Sequence, residues 1–147
     1  MSVASTARTR AVNTAQSFFV AYNAHEVDKM LAVCNREAEL RYLPMGGQGH
    51  GPIYEVGKRI WSSLVDAFPD LTVRVQSAFG DERNAAAEVM IGGTQRKQFL
   101  DIPSQGKHYE LPHAFILAVD DNNLISVITA YWDNLSFYSQ LGKIALD

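Results

Sequence analysis

The hydrophobic periodicity of this chain changes at Asp70, and this change limits the possible folds more than any other feature. Before Asp70, apolar residues recur every three or four positions, which is the spacing of amphipathic helices. After it, apolar and polar residues alternate, which is typical of strands with one buried face. Helices grouped before a run of hairpin-connected strands predict an α+β domain, with an antiparallel sheet covered by helices on one face.

The first half of the chain predicts three helices and one short strand. The helices are expected at residues 9–24, 25–35 and 53–67, and the strand at 38–43. The cysteine at position 34 falls on the apolar side of the second helix, so we predict that it is a buried packing residue.

The second half predicts a meander of four strands followed by a short helix. The strands are expected at 71–76, 85–93, 109–120 and 124–132. A curved sheet wrapped around the long third helix would form a cone with a cavity. Every second strand residue would line that cavity.

The composition predicts a single domain, 1–147, with residues 1–8 as an N-terminal leader rather than a signal peptide. Hydrophobic residues make up 47% and the formal net charge is −3, with no cluster of Lys and Arg, so we expect no nucleic-acid or membrane partner. No apolar run approaches the roughly 18 residues of a membrane span. The single cysteine cannot form an internal disulfide, and a cytoplasmic location is expected.

A carboxylate, Asp133, follows the last predicted strand and has two interpretations. Alternation places Thr129, Tyr131 and Asp133 on one face, between long apolar runs. An acid in apolar surroundings has a raised proton affinity, which suits proton transfer near neutral pH. Alternatively, Asp133 caps the short helix that follows, which Gly142 would end.

Two of the four histidines are candidates for the site. His113 lies in an apolar strand, where an imidazole can move a proton or donate to an oxyanion; the alternative is a histidine held by structural hydrogen bonds. His50 lies in a glycine-rich loop, 44–52, that lacks the dinucleotide pattern and the Walker lysine. We therefore predict that this loop borders a cavity entrance. The histidine spacing matches no metal-binding motif, so no metal site is expected.

Several motifs resemble the SnoaL-like polyketide cyclase family. They are Ala67-Phe-Pro-Asp-Leu71, Gly93-Thr94, the run Phe99-Leu-Asp-Ile-Pro-Ser-Gln-Gly-Lys107 and the closing Gln140-Leu-Gly142. The resemblance extends from about residue 15 to residue 142. Asp101 stands where the family usually has glycine, and Val127-Ile-Thr129 stands where many members have Glu-His-Trp.

The resemblance implies the cone fold of the nuclear transport factor 2-like superfamily: about three helices on a strongly bent, mostly antiparallel sheet. It also implies intramolecular aldol cyclisation without metal or cofactor, with Asp133 as acid/base and His113 as its assistant. We expect Asp133 to remove a proton next to a carbonyl, and His113 or Tyr131 to donate to the developing enolate. The Tyr/Trp/Asp ending also resembles ketosteroid-isomerase-like members, which move a double bond.

The expected ligand is an apolar, carbonyl-bearing small molecule of polyketide-like or steroid-like type. Its predicted contacts are Phe18, Phe19, Tyr42, His50, Trp61, Phe115 and Trp132. Two alternatives stay open on the same fold: a non-catalytic ligand-binding or dimerisation module, and a purely structural homodimer that interacts through its outer sheet face. A homodimer is expected in each case, since apolar sheet faces are usually covered.

Overall fold

The computed structural model describes residues 9–143, so the leader predicted at 1–8 lies outside the described residues. The helices are α1 (Arg10–Asn23), α2 (Val27–Ala32), α3 (Lys58–Ala67) and α4 (Asn134–Gln140). The strands are β1 (Cys34–Tyr42), β2 (His50–Pro52), β3 (Thr72–Gly80), β4 (Asn84–Thr94), β5 (His108–Val119) and β6 (Ile125–Trp132). A 3-10 segment, Leu43–Gly49, follows β1, and a π-helical turn, Ile53–Gly57, leads into α3.

The six strands form one curved, mostly antiparallel sheet in the order β2-β1-β6-β5-β4-β3. Strands β3 to β6 are the predicted meander, and β1 pairs with β6 in the parallel direction. The register shifts between Val75 and Ser77 and between Ala118 and Val119, and such irregularities bend a strand and increase its twist. The predicted α+β fold with a bent sheet is confirmed.

Helices α1 and α3 cover the inner face of the sheet. Thr9 caps α1 by accepting a hydrogen bond from the Val12 amide at 3.4 Å, and Phe68-Pro69 ends α3, both as local chemistry predicts. The buried rings of Phe18 and Trp61 join the two helices at 5.3 Å, edge to face. The Phe19 ring also packs against Phe115 of β5 at 5.0 Å, so the helices and the sheet share one packed core.

Two local predictions are wrong. Cys34 is buried, but it begins β1, because α2 ends already at Ala32. Residues 50–52 were expected in a loop and instead form β2, which pairs with β1 through Arg41 and His50. In both segments, pairing with another strand supplies the backbone hydrogen bonds, and the local sequence does not indicate that pairing.

In the part of the chain that the structure describes, no helix combines the length and apolar character needed to cross a membrane.

Candidate active site

A small cavity lies between the helices and the inner face of the sheet. Its volume is about 40 Å³, which is room for a few waters, since a single water needs about 10–15 Å³. Typical ligand pockets are far larger, about 300–1,000 Å³. The described residues that line it are Tyr22, Tyr42, Met45, Ile60, Leu64, Ile91, Phe99, Leu100, Tyr109, His113, Phe115, Trp132, Asn134 and Phe137.

Edge-to-face aromatic pairs form much of the cavity wall. The ring of Tyr42 packs against that of Trp132 at 5.3 Å, and the ring of Tyr109 packs against that of Phe137 at 4.8 Å. Behind the wall, the indole N–H of Trp61 donates to the Tyr42 hydroxyl at 2.9 Å. Packed aromatic pairs of this kind contribute about 0.5–1.5 kcal/mol each beyond area burial, so they hold the wall in one arrangement.

His113 is the imidazole of the cavity, and its hydrogen bond fixes its tautomer. Its Nδ1 lies 2.9 Å from the Leu111 carbonyl oxygen. A carbonyl oxygen only accepts, so Nδ1 carries the proton and donates. Burial lowers the pKa of His113 to about 4, so the ring is neutral at pH 7. Its Nε2 atom therefore has a free lone pair that can accept a proton.

Asn134 supplies an oriented amide at the cavity mouth. The Trp132 indole N–H lies 3.1 Å from the Asn134 side-chain oxygen. An indole N–H only donates, so the oxygen must face it, and the Nδ2 group of Asn134 remains as a donor for other partners. The cavity thus combines an acceptor on His113 with a donor on Asn134.

Three tyrosines add hydroxyl groups to the lining. Desolvation on burial raises the pKa of Tyr22, Tyr42 and Tyr109, so each keeps its proton at neutral pH. None of the described lining residues is Asp or Glu. Across residues 9–143, no three side chains of His, Cys, Asp or Glu lie close enough together to hold a metal ion.

A second, more polar chamber of about 530 Å³ adjoins the inner cavity. Its lining residues are Pro44, Met45, Gln48, Gln98, Leu100, Asp101, Asn134 and Tyr138. Met45, Leu100 and Asn134 line both spaces and so mark the boundary. Leu100 lies in the turn between the bridged residues Phe99 and Ile102, and its φ of +54° is uncommon for a residue with a side chain.

Asp133 is placed as a helix cap. Its side-chain oxygen accepts a hydrogen bond from the Ser136 amide at 3.1 Å, which confirms the capping interpretation. The carboxylate is exposed and is not among the cavity-lining residues, so the expectation that it lies in apolar surroundings is wrong. Its catalytic role stays a prediction that this position does not support.

Tyr131 lies on the outer face of the sheet. It is 49% exposed and pairs with Ala114 of β5, while Ile128 and Ala130 of the same strand point inward and are buried. Thr129, Tyr131 and Asp133 share one side, as predicted, but it is the side opposite to the cavity. Alternation alone could not indicate which side of β6 faces the cavity, because both sides carry apolar residues. Tyr131 is not among the cavity-lining residues, so its role as a donor to the ligand stays a prediction that this position does not support.

The other predicted site residues divide into three groups. Tyr42, His113, Phe115 and Trp132 line the cavity. Phe18, Phe19 and Trp61 are buried behind the lining as core residues. His50 is exposed in β2, outside both chambers, with its Nδ1 2.7 Å from the Gly46 carbonyl oxygen.

Sequence reasoning missed several lining residues. Tyr109 lies four positions before His113 on β5, so alternation would have placed both on one face. Tyr22 follows Phe18 by one helical turn, and the same face argument would have included it. No sequence signal distinguished Asn134, whose position depends on where β6 ends and α4 begins.

Replacing Asp133 separates its capping role from any catalytic one. Asp133→Asn is expected to keep the free energy of unfolding within a few tenths of a kcal/mol, because Asn caps as well as Asp. Asp133→Ala is expected to lower it by about 1 kcal/mol, since the Ser136 amide loses its acceptor. Urea denaturation of the three proteins measures both values. A marked loss of stability in Asp133→Asn would contradict this account.

The fold and the cavity define a class: a small cone-shaped α+β protein with an aromatic pocket between its helices and a bent sheet. The model of the SnoaL-like polyketide cyclase family matches residues 11–141, so the chain belongs to this family. No curated protein sequence matches the chain.

Solved structures agree with this fold at low sequence identity. TsrD from Streptomyces laurentii is 19% identical, with a TM-score of 0.77 over 98% of this chain and 99% of that one. A protein provisionally named a SnoaL-like polyketide cyclase, from Jannaschia sp. CCS1, is 16% identical, with a TM-score of 0.79 over 92% and 93% of the two chains. IdmH from Streptomyces antibioticus, provisionally named a polyketide cyclase, is 22% identical, with a TM-score of 0.72 over 88% and 96%.

Proposed function

We propose that this protein is a cytoplasmic enzyme of the cyclase or isomerase type that needs no cofactor and moves a proton on a carbonyl-bearing small molecule. The observation that carries the proposal is the neutral imidazole of His113, which presents an acceptor in a cavity whose described lining has no carboxylate. His113 takes the role that the family resemblance gave to an aspartate. Asp133 has no role in this mechanism beyond capping α4.

In the proposed step, Nε2 of His113 removes a proton from the carbon next to the substrate carbonyl. The C–H bond breaks, its electron pair forms the enolate, and the imidazole becomes an imidazolium ion. The Nδ2 group of Asn134 donates a hydrogen bond to the enolate oxygen, where the charge develops. In an isomerisation the imidazolium returns the proton to another carbon. In a cyclisation the enolate carbon attacks a second carbonyl and the proton goes to the new alkoxide.

The second candidate function is a non-catalytic binding module, and two observations favour it. The pKa of His113, lowered to about 4 by burial, makes this imidazole a weak base, whereas efficient general bases have pKa values near the working pH. The inner cavity, at about 40 Å³, is also too small for a fused ring system. A polycyclic ligand would need the boundary residues Met45 and Leu100 to move.

Proton exchange on a simple ketone distinguishes the two functions. The purified protein is incubated in D₂O with acetone, a ketone without a ring, and proton NMR follows the loss of the signal from the methyl groups next to the carbonyl. The enzyme proposal predicts exchange above the buffer rate, in proportion to protein concentration. Exchange at the buffer rate, together with ligand-induced shifts of the Trp132 indole signal, would support the binding module instead.

The lowered pKa of His113 also predicts a pH dependence of stability. The value is about 4 in the folded protein and about 6.5 in the unfolded chain, so the unfolded chain binds more protons between these values. The free energy of unfolding should therefore fall as the pH is lowered through this window, by about 2 kcal/mol from pH 7 to pH 5. Urea denaturation at both pH values measures this fall.

The variant His113→Asn is the control for that measurement. It keeps a donor for the Leu111 carbonyl but does not titrate, so its stability should change little between pH 7 and pH 5. Asp81 and Asp120 titrate below this window. A hydrogen bond from the Arg83 backbone lowers the pKa of Asp81, and one from the Asn35 side chain lowers the pKa of Asp120. An equal fall in the wild type and the variant would show that another group is responsible.

The proposal includes a homodimer formed through the outer face of the sheet. Ile116 and Tyr131 are 47% and 49% exposed there, and Ala114 lies beside them. Two copies of such a face can pack about a twofold axis. Sedimentation should therefore give twice the mass of one chain, and Ile116→Lys should weaken the dimer at least tenfold. Val20→Lys, at a 69% exposed position on helix α1, is the matched control and should leave the dimer unchanged.

A further inference from the structure

The inner cavity and the outer chamber differ in size and polarity, and this difference indicates which part of a ligand each can hold. The inner cavity, which holds His113, has a volume of about 40 Å³ and an aromatic and aliphatic lining. The outer chamber has about 530 Å³, and five of its lining side chains, Gln48, Gln98, Asp101, Asn134 and Tyr138, carry polar atoms. Most of a ligand therefore fits only in the outer chamber, and only a small group reaches the imidazole.

Existing hydrogen bonds leave a defined set of donors and acceptors in the outer chamber. The Gln98 amide nitrogen donates to the Leu100 carbonyl at 3.0 Å, which leaves the Gln98 side-chain oxygen as an acceptor. Tyr138 donates to one carboxylate oxygen of Asp101 at 2.8 Å, which leaves the second oxygen as an acceptor. The Nδ2 group of Asn134 remains as a donor. Hydroxyl groups, which both donate and accept, match this set.

The charged side chain of the outer chamber disfavours an anionic ligand group beside it. Among its described lining residues, Asp101 is the charged side chain. Within residues 9–143, two cations are bonded to backbone oxygens of lining residues, Lys143 to Asp101 at 3.0 Å and Arg59 to Gln48 at 3.5 Å, but neither is itself a lining residue. A phosphate or carboxylate in the chamber would meet the Asp101 carboxylate, whereas a neutral group would not be repelled.

We propose that the ligand is a neutral amphiphile, with a small carbonyl-bearing end that passes Met45 and Leu100 to reach His113. Its larger, hydroxyl-bearing part binds in the outer chamber. This inference rests on the proposed function for the role of the carbonyl end. It adds the chemical class of the ligand and assigns binding roles to Gln98 and Asp101.

Three probes that share one acetylphenyl group test the inference by isothermal titration calorimetry. They are 4-acetylphenyl β-D-glucopyranoside, which is neutral and hydroxylated, 4-acetylphenyl phosphate, which is anionic, and 4-methoxyacetophenone, which lacks a polar end. The glucoside should bind at least tenfold tighter than the methoxy compound, and the phosphate should bind most weakly. Binding of the phosphate or the methoxy compound as tightly as the glucoside would overturn the inference, and so would no binding of any probe at millimolar concentration.

Two variants and a matched control locate the site. Gln98→Ala should weaken glucoside binding about threefold to tenfold, the effect of one lost hydrogen bond, and should leave the methoxy compound unaffected. Asp101→Asn, which can still accept from Tyr138, should reduce the discrimination against the phosphate. Gln76→Ala, at an exposed position on β3, should change neither. Equal effects of Gln98→Ala and Gln76→Ala would exclude the outer chamber as the glucoside site.

The acetone exchange experiment separates this inference from the proposed function. Preferential glucoside binding without exchange of acetone would leave the ligand class supported and the proton-transfer function contradicted. Exchange that depends on His113, without preference for the glucoside, would overturn the ligand class alone.

Discussion

Replacing His113 with asparagine is expected to slow the protein-catalysed exchange of acetone protons by on the order of 10²–10⁴-fold, the usual contribution of a general base. Asparagine places an amide nitrogen near the position of Nδ1, so the hydrogen bond to the Leu111 carbonyl can remain. It has no counterpart of Nε2, so the proton acceptor is lost. The measurement is the exchange rate per mole of protein by proton NMR at neutral pD.

The control for this variant is Asp133→Asn, which alters the other candidate acid/base. Because Asp133 is exposed and lies outside the cavity lining, its replacement should leave the exchange rate within twofold of the wild type. Circular dichroism verifies that both variants are folded. The reverse result, with exchange lost in Asp133→Asn and retained in His113→Asn, would contradict the assignment and restore the aspartate of the family resemblance.

Replacing Trp61 with alanine is expected to lower the free energy of unfolding by about 3–5 kcal/mol, the range measured for buried Trp and Phe. Trp61 has no exposed surface, and its ring contacts Phe18 at 5.3 Å and Tyr22 at 6.4 Å between ring centres. The substitution leaves a cavity at the junction of α1 and α3. It also removes the indole N–H that donates to the Tyr42 hydroxyl, so a hydrogen bond that positions Tyr42 in the cavity wall is lost.

Urea denaturation followed by circular dichroism measures this loss without relying on tryptophan fluorescence. Trp61→Phe should cost less, about 1–2 kcal/mol, because it keeps most of the ring volume and loses the hydrogen bond to Tyr42. Leu135→Ala, at a side chain that is 51% exposed, should change stability by less than about 0.5 kcal/mol. A similar cost for all three variants would show that Trp61 is not part of the rigid core.

The elements with strong internal periodicity were predicted well. Helix α1 was expected at 9–24 and is Arg10–Asn23, and β4 was expected at 85–93 and is Asn84–Thr94. Their own residues carry the pattern of burial, so no distant partner is needed to recognise them. Segments that depend on partners were predicted poorly: β2 forms because β1 lies beside it, and β1 begins at Cys34 because it pairs with Ile125 of β6.

The sequence by itself determined the class of fold and the family motifs, and it correctly predicted that His113, Phe115 and Trp132 line the cavity. It could not decide which side of β6 faces the cavity, because that strand is apolar on both sides. The tertiary structure decided this through the pairing of His113 with Trp132, which directs both rings inward and leaves Tyr131 outside, while Asp133 is exposed as the cap of α4. A change of one residue in register reverses every side chain of a strand, so the position of the acid depended on long-range pairing.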